Sequence, residues 1–572
     1  MHFTLAISAA SAAACGALTR LALDTDAAIM PVPGPAGVVW RSADERAAMI
    51  RWGGPALDPA SAPAPHAPGP HADGRHAAGW HAVSRAGTIW ADPASGAIHA
   101  RTGITRIDPV YVARPPDAVV ISDRASWAAA VRGRLTDQDP VMIAAFLNLG
   151  YPLGAATPFR GVRALGHAQT LRAAAGTLTV RDDDRSGTGS GVDAMAGVDA
   201  VAGALVDAVA PLGERTPEGS GGSSPQTSGV VELSLTGGKD SRLIAAALTA
   251  AKVPFRARTH GAADHPDVVV AGTIAVRLGI EHEVTQPRPH GSVAAPDVLA
   301  RLRSATLVCE GMLSAFENVG RPDPPFTADT LQVGGHGGEL LRGGYACYAG
   351  CAARGIELAW ACGRGAEQFR RLTTRRLGLL RPVAARAYLA SLAPWAFRFA
   401  RGPLRALDDF YLVNRAGRWS AAARQAYLLR SEFVQPFFDD TVVRAARAVP
   451  LRIRVSGQLH AELLRTLCPE LLDIPLAGRA TAPVRVPAPA PAPGTASPDW
   501  RRHYGDDVAM FLRDYVLDQG SGLFQVVSKR AAERVLSVPH ADHETVWALA
   551  TLACLVSGDW LRARMQPLQS GH

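Results

Sequence analysis

The chain has 572 residues, a formal net charge of +8 and a charged fraction of 19%. A chain of this length exceeds one ordinary hydrophobic core, so two or three domains are expected. Hydrophobic residues make up 48% of it, which excludes a disordered protein. The positive charge is spread along the sequence without a basic run, so it does not indicate a nucleic-acid-binding surface.

The first residues hold a short stretch of small apolar side chains that no lysine or arginine precedes. Without that charge, residues 1–23 predict the first strand and turn of a folded domain, with a lipoprotein signal at Cys15 as the alternative. No segment reaches the roughly 18 continuous apolar residues that a membrane-spanning helix needs. We therefore expect a cytoplasmic protein without a membrane partner. Its seven scattered cysteines are expected to be reduced and mostly buried.

Two clusters contain residue types that bind metals. Histidines recur every five residues from His66 to His81 in a Pro-, Gly- and Ala-rich stretch. Because five residues is neither a helical nor a strand period, a surface loop is expected there, with a metal-binding tract as the alternative. Cys347, Cys351 and Cys362 lack the paired spacing of a zinc site, so buried thiols are expected.

The next segments predict a β-rich first domain, because short β-type runs are separated by Pro, Asp and Gly. These runs occupy residues 87–90, 110–112 and 118–122, followed by a helix at 141–149, a hairpin at 171–180 and an amphipathic helix at 198–209. Gly- and Ser-rich segments then predict a domain boundary. We expect an α+β domain over residues 1–215 and a linker over 216–228.

Strands and helices alternate beyond this boundary. Strands are predicted at 230–235, 254–259, 281–284 and 331–333, with helices at 241–250 and 267–278. Such alternation predicts a parallel sheet with short crossovers. Residues 351–472 and 508–564 are helical in period, and the Pro/Ala segment 483–493 predicts an extended surface loop. The second domain is thus expected to be α/β and to cover residues 229–572.

The first of these strands leads directly into the sequence TGGKDSR, residues 236–242, and a helix follows at once. Glycines let the backbone approach a ligand, and the free N–H groups of a helix start point at phosphate. Ser234, Thr236 and Ser241 add hydroxyl donors. Asp240 would repel phosphate unless a cation lay between them, so it predicts Mg²⁺. The loop matches neither a Walker A site nor a dinucleotide-binding turn, and a glycine-rich turn that only closes a βα unit is the structural alternative.

The loop resembles the S-G-G-x-D-S pyrophosphate loop of the asparagine synthetase family, with Thr236 in place of the first serine. Residues 266–282 resemble the second helix and third strand of that family. The sequence GHGGELLRGGY at 335–345 resembles its G-E-G-S-D-E-L-F-G-G-Y segment, and 432–439 resembles the stretch that ends P-F-L-D. The resemblance implies an amidotransferase-like α+β domain followed by a parallel-sheet ATP-pyrophosphatase domain with many added helices.

The resemblance also implies a reaction, in which Mg²⁺-ATP adenylates a carboxylate and an amine then displaces AMP. ATP and Mg²⁺ are the implied cofactors. The implied ATP- and pyrophosphate-binding residues are Ser234, Leu235, Thr236, Gly237, Gly238, Asp240, Ser241, Thr259 and Gly335. Asp240 and Glu339 would hold the metal. Lys239 and Arg242 would assist the leaving group, and His336 completes the implied catalytic set.

The sequence departs from the family at the expected glutaminase nucleophile. Family members that use glutamine carry a catalytic cysteine directly after Met1, whereas this chain has His2, and the nearest thiol is Cys15. An imidazole cannot form the thioester that this chemistry needs. The resemblance therefore implies a retained scaffold without glutaminase activity. The amine would come from free ammonia or from a second substrate.

Two further departures concern the synthetase site. His336 stands where asparagine synthetases have Glu and β-lactam synthetases have Tyr. It is either the base that deprotonates an attacking amine or a structural residue of its loop. The helix at 460–465 lacks the lysine of the family, so Arg452, Arg454 or Arg465 would have to substitute. An arginine stabilises charge there but does not transfer a proton.

These observations favour an AMP-forming amide ligase of specialised metabolism, and a lasso-peptide (macrolactam) cyclase is the specific hypothesis. An ammonia-dependent asparagine synthetase and a non-catalytic nucleotide-binding descendant are the alternatives. The latter is supported by the missing lysine and by Glu339, where the family has Asp. The expected partners are a small-molecule or peptide carboxylate, an amine substrate, a protein that delivers a precursor peptide, and a second copy of the chain.

Overall fold

The computed structural model describes residues 3–29, 37–52, 87–92, 95–183, 194–215, 230–285, 295–317, 327–349, 358–428, 431–477, 506–538 and 542–563. The strands of the first part are β1 (Phe3–Ala9), β2 (Gly37–Arg41), β3 (Ala47–Trp52), β4 (Gly87–Ala91), β5 (Ile98–Thr102), β6 (Tyr111–Ala113), β7 (Ala118–Ser122), β8 (Val162–Ala164), β9 (Gln169–Ala174) and β10 (Thr177–Asp182). Its helices are α1 (Ala12–Ile29), α2 (Ala125–Ala130) and α3 (Pro140–Leu149).

The ten strands form two antiparallel sheets. Sheet A has the order β2-β3-β1-β7-β6-β8, and sheet B has the order β10-β9-β5-β4. Successive side chains of a strand point to opposite faces. In β1, Ala6 packs in a small core between the two sheets, whereas Leu5 and Ile7 belong to the large core on the other face of sheet A. The first part of the chain is therefore a two-sheet layer with helices on one side.

The segment after β1 differs from the prediction, because residues 12–29 form helix α1 where a turn was expected. Alanine has the highest helix propensity, and the hydroxyl of Ser11 accepts a hydrogen bond from the backbone N–H of Ala14 at 3.2 Å, which caps the helix start. Cys15 and Ala22 on this helix are buried against sheet A. The predicted folded start is thus confirmed as a strand, and the predicted turn is wrong.

The second part of the chain contains the remaining strands, β11 (Val230–Ser234), β12 (Arg256–His260), β13 (His282–Thr285), β14 (Thr327–Gly334) and β15 (Ser431–Val434). Its helices are α4 (Ala194–Val209), α5 (Lys239–Ala250), α6 (Pro266–Leu278), α7 (Ala295–Val308), α8 (Leu358–Thr373), α9 (Pro382–Ser391), α10 (Ala393–Arg401), α11 (Pro403–Phe410), α12 (Ala421–Leu428), α13 (Asp440–Ala448), α14 (Leu451–Ser456), α15 (Gln458–Leu467), α16 (Asp506–Gln519), α17 (Lys529–Leu536) and α18 (His543–Ser557). A π-helix, Tyr411–Ser420, joins α11 to α12.

Sheet C consists of the five strands of this second part, in the order β13-β12-β11-β14-β15, and all of its neighbouring pairs are parallel. This confirms the predicted parallel sheet. The chain adds strands to one side of β11 and then returns to add β14 and β15 to the other side. In open parallel sheets, such a reversal of strand order opens a crevice at the carboxyl ends of the two central strands, where ligands bind. The crevice of sheet C lies between the ends of β11 and β14.

Most predicted elements are confirmed, among them the hairpin β9–β10 and the helices α3, α5 and α6. The region 351–472 is not helical throughout, because β15 interrupts it and pairs with β14. Four residues are too few to establish a strand period against the helical pattern around them. The His66–His81 tract and the Pro/Ala segment 483–493 lie outside the described residues.

Helix α4 was predicted at the end of the first domain, yet its main packing partners are α5, α13 and α15 of the second part. Together with the turn that follows it, residues Ala196–Gly213 form the one described helix that is long and apolar enough to cross a membrane. Half of this 18-residue segment is buried in the structure. Val201, Leu205 and Val209 have no exposed surface and belong to the large core.

The two parts of the chain share buried polar contacts. Arg124, which precedes α2, donates to the backbone carbonyls of Val308 and Leu307 at 3.0 and 3.2 Å. The carboxylate of Glu310 accepts hydrogen bonds from the backbone N–H groups of Ala125 and Ser126. These groups would be unsatisfied if either part were removed, so the interface is specific.

Candidate functional site

The sequence TGGKDS lies at the switch point of sheet C. Strand β11 ends at Ser234, and helix α5 begins at Lys239 after a turn capped by Gly238, which supplies no side-chain hydrogen bond. The N–H groups of the first helical turn have no intrahelical acceptor, and the helix dipole adds partial positive charge there. The structure therefore brings the loop, a helix start and the crevice to one place.

The hydroxyl groups of the loop hold its shape. The backbone N–H of Thr236 donates to the Ser241 hydroxyl at 3.1 Å, and the two hydroxyls are 3.0 Å apart. The Thr236 hydroxyl also accepts from the N–H of Gly238 at 3.2 Å. The N–H of Gly237 donates to the carboxylate of Asp267 at 3.0 Å. These bonds use the N–H groups of the loop itself, so the donors that remain for a ligand are those of the first turn of α5.

The loop after β14 contacts the loop after β11 through two glycines. A Cβ atom at Gly335 would lie 2.6 Å from the backbone nitrogen of Ser241. A Cβ atom at Gly338 would lie 2.3 Å from the carboxylate carbon of Asp240. The close approach of these two loops explains why glycine stands at both positions, and it brings Glu339 beside Asp240.

Asp240 is the centre of a charged network. Its carboxylate accepts hydrogen bonds from Arg342 Nη2 and from His460 Nε2, each at 2.9 Å. Burial alone would raise the pKa of Asp240, but the His460 hydrogen bond and the positive charge of Arg342 together hold that pKa below its ordinary value. Asp240 is thus an anion throughout the physiological range.

Glu339 shares Arg342 with Asp240, because the same Nη2 atom lies 3.3 Å from Glu339 Oε1. Tyr411 and Tyr348 also donate their hydroxyl hydrogens to the Glu339 carboxylate, at 3.2 and 3.4 Å. The two candidate metal ligands therefore lie next to each other, with a guanidinium between them.

This donor set can be compared with the needs of Mg²⁺. Among the described residues, no group of three or more His, Cys, Asp or Glu side chains could hold a metal ion. Mg²⁺ is commonly bound by one or two carboxylates together with substrate phosphates and water. Asp240 and Glu339 fit an ion that arrives with a nucleotide, provided that the Arg342 guanidinium leaves the gap between them.

The two basic residues of the motif occupy different environments. Lys239 is half-buried, and burial and the charge of Arg342 both lower its pKa. Arg242 is buried and turns away from the loop, since its guanidinium donates to the backbone carbonyls of Leu471, Ile474 and Pro475. The structure keeps Lys239 near the carboxylates and gives Arg242 the role of fixing the segment that follows α15.

The other predicted nucleotide-binding residues line the ends of β11 and β12. Ser234 is exposed at the end of β11. Thr259 is buried, and its hydroxyl donates to the backbone carbonyl of Leu235 at 2.8 Å. The same hydroxyl lies 2.8 Å from His282 Nε2. Thr259 and Leu235 thus connect neighbouring strands beneath the crevice.

His336 lies on the β14 side of the crevice. Its Nε2 atom is 3.1 Å from the Ser420 hydroxyl, and its ring packs against Trp419 and Phe438 with centroid distances of 5.6 and 5.9 Å. Burial and the charge of Arg415 lower the pKa of His336, so the imidazole is neutral at pH 7. A neutral imidazole held by a hydroxyl is able to accept a proton.

Among the contacts of the described residues, none of the expected substitutes for the family lysine reaches Asp240 or Glu339, although Arg454 donates to the backbone carbonyl of Leu340 in the same loop. Arg454 is buried and pairs with Asp408 at 2.8 Å, Arg465 pairs with Glu462 on the surface of α15, and Arg452 is exposed. The structure instead brings Arg342 and His460 to Asp240, 102 and 220 residues away in sequence. The resemblance to the family predicts a lysine in this helix and gives no indication of the role of His460.

The first part of the chain offers no activated thiol among its described residues. Cys15 is buried on α1, and burial raises the pKa of its thiol above the ordinary value. His2 lies outside the described residues. Cys309, Cys468 and Cys554 are also buried, as expected, and Cys347 is partly exposed.

No protein-family model matches this chain, and no curated protein matches it.

Proposed function

We propose that the chain is an ATP-dependent, AMP-forming amide ligase of the asparagine synthetase type. The single observation that carries the proposal is the TGGKDS loop at the switch point of a parallel sheet, with Asp240 and Glu339 side by side. A helix start binds phosphate, and two adjacent carboxylates beside it suit a cation shared with that phosphate. The amidotransferase-like interpretation of the first part rests on the same sequence resemblance.

In this proposal, the N–H groups at the start of α5 bind the β- and γ-phosphates of ATP. A substrate carboxylate oxygen attacks the α-phosphorus, the bond between the α-phosphorus and the bridging oxygen breaks, and pyrophosphate leaves. Mg²⁺ held by Asp240 and Glu339 would neutralise the phosphate charge. Lys239, at the loop, stabilises the leaving pyrophosphate.

The second half-reaction is assigned to the His336 side of the crevice. An amine nitrogen attacks the acyl carbon of the adenylate, AMP leaves with the electron pair of the broken bond, and the neutral His336 imidazole accepts the amine proton. The specific hypothesis remains macrolactam formation on a peptide, with a cytoplasmic location and a partner protein that delivers the peptide. An ammonia-dependent asparagine synthetase uses the same first half-reaction.

A non-catalytic nucleotide-binding protein is the second candidate, and Arg342 is the observation that favours it. The guanidinium bridges the two carboxylates that a metal would need. If Arg342 remained there after ATP had bound, it would supply positive charge without the coordination chemistry of Mg²⁺.

Carboxylate-dependent exchange of radioactive pyrophosphate into ATP separates the two candidates. A panel of amino acids, dicarboxylic acids and short peptides should contain a substrate that drives exchange, and Asp240→Ala should abolish it. Asp199→Ala, an exposed position on α4, is the matched control and should leave exchange unchanged. Normal ATP binding without exchange for any carboxylate would reject the ligase and favour the non-catalytic candidate.

A further inference from the structure

The π-helix Tyr411–Ser420 forms one wall of the site. Hydrogen bonds in a π-helix run five residues apart, and such segments are rare, short and often found at functional sites. This one extends over 10 residues between two ordinary helices. Its length calls for contacts that hold the unusual backbone in place.

One face of the π-helix is anchored to the first part of the chain. Arg106 donates to the backbone carbonyl of Val413 at 2.8 Å, and the N–H of Gly154 donates to the Asn414 side-chain oxygen at 2.9 Å. Arg418 donates to the backbone carbonyl of Ala156. These contacts fix the orientation of the opposite face.

The opposite face contacts the two loops of the crevice. Tyr411 donates its hydroxyl hydrogen to Glu339, and Ser420 hydrogen-bonds His336. The ring of Trp419 packs against His336. The π-helix therefore borders both the candidate metal ligand and the candidate base.

Arg415 lies between these residues on the π-helix. Its guanidinium carbon is 3.5 Å from the centroid of the Trp419 ring. The side chain is half-buried, and within the described part of the chain it has no ion pair and no hydrogen bond. Because Trp419 itself packs against His336, this guanidinium lies on the crevice side of the π-helix.

Among the described residues, the lack of a hydrogen-bonding partner sets the half-buried Arg415 apart from the fully buried arginines. Arg106, Arg242 and Arg454 each donate to backbone carbonyls or to a carboxylate. A guanidinium that is partly removed from water loses hydration and gains most from an anionic partner. Arg415 keeps its hydrogen-bond donors available beside a flat aromatic ring.

We propose that Arg415, supported by Trp419, binds a carboxylate group of the substrate and holds it beside His336. The planar fork of a guanidinium matches the two oxygens of a carboxylate, and the ring below keeps that fork in one orientation. A cation here disfavours a charged ammonium group, so the acceptor amine enters neutral or elsewhere. The role of the subsite in catalysis rests on the proposed function, whereas carboxylate binding itself does not.

Equilibrium binding tests the subsite without knowledge of the natural substrate. The probes are L-glutamate, L-aspartate and succinate, each compared with its uncharged amide, L-glutamine, L-asparagine or succinamide. Calorimetry is performed with and without Mg²⁺ and α,β-methylene-ATP, which cannot release pyrophosphate. The variants are Arg415→Gln, Arg415→Lys and the matched control Arg398→Gln, because Arg398 lies over Trp395 at 4.9 Å on the exposed side of α10.

At least one carboxylate should bind the wild type and Arg398→Gln more tightly than its amide does. Arg415→Gln should weaken that binding by about tenfold or more, and Arg415→Lys should restore part of it, as expected for loss of a charged hydrogen bond. Binding of α,β-methylene-ATP should be unchanged in all three variants.

Three results would overturn the proposal. They are a wild type that binds no carboxylate better than its amide, an Arg415→Gln variant that binds carboxylates normally, and a variant that loses nucleotide binding instead. The last would make Arg415 a phosphate ligand. A wild type that binds carboxylates through Arg415 but not α,β-methylene-ATP would keep the subsite and reject the proposed function.

Discussion

The Arg342 guanidinium occupies the gap between Asp240 and Glu339, and its replacement by methionine should convert this gap into a weak magnesium site. Arg342 Nη2 lies 2.9 Å from one carboxylate and 3.3 Å from the other, and the Arg342 side chain is only 12% exposed. Loss of two charged contacts in a partly buried setting costs about 3 kcal/mol. Methionine keeps most of the apolar stem, so the loss is mainly electrostatic.

Mg²⁺ should return most of that stability to the variant. An ion at 100 times its dissociation constant stabilises the folded state by about 2.7 kcal/mol, close to the loss from the substitution. The assay is thermal unfolding of nucleotide-free protein against MgCl₂, with ionic strength held constant by NaCl because salt alone screens like charges. The wild type should show little response, and Arg342→Met should regain several degrees of melting temperature.

The double variant Arg342→Met with Glu339→Gln provides the control, since it removes one of the two proposed ligands. It should lose the magnesium response and keep a folded structure. A response of equal size in the wild type would mean that Arg342 does not compete with the ion. A variant without any response would refute the assignment of these two carboxylates as the metal site.

Two further predictions follow from the packing. Gly338→Ala should displace the Asp240 carboxylate, lower the free energy of unfolding by about 1–3 kcal/mol and weaken Mg²⁺-ATP binding. Gly203→Ala, with open space around its Cβ position, is the control and should have none of these effects. Denaturant unfolding measures the stability, and calorimetry measures the binding. Burial raises the pKa of Asp440 from 3.8 to about 6, so the stability linked to its neutral form is present at acidic pH and is lost as the pH rises through about 6. Asp440→Asn keeps an acceptor for the N–H of Ile104, and its melting temperature should rise relative to the wild type between about pH 4 and about pH 7; a constant difference would contradict this.

The strand, loop and helix that carry the TGGKDS sequence could be predicted because their signals are local. The apolar residues Val231 and Leu233 of β11 are buried, glycines follow the strand directly, and α5 has helical period from its first turn. The same locality explains the correct placement of α6, whose proline at the first position and Gly279 after its last residue mark both ends. Local chemistry thus determines the half of the candidate site that the TGGKDS loop forms.

The remaining parts of the site depend on contacts between distant segments. Arg342 belongs to the segment 335–345, which resembles the family. Nothing in the sequence of that segment indicates that the Arg342 guanidinium bridges Asp240 and Glu339. His460 reaches Asp240 only because α15 packs on α5. The π-helix is another case, since no sequence pattern distinguishes it from an ordinary helix, and the contacts of Asn414 and Arg418 with the first part of the chain accompany its altered bonding.

The contacts of the π-helix with the first part of the chain give that part a structural role that does not require glutaminase chemistry. The hydroxyls of Tyr151 and Tyr345 are buried and 2.9 Å apart, so one chain segment from each part meets directly behind the Glu339 loop. Burial raises the pKa of both hydroxyls, which keeps them neutral and able to share one hydrogen bond. If the first part were only a relic, its contacts would be free to lose polar groups in favour of apolar packing. Instead they support the π-helix and the loop after β14, so the arrangement of Arg415 and Glu339 depends on both parts of the chain.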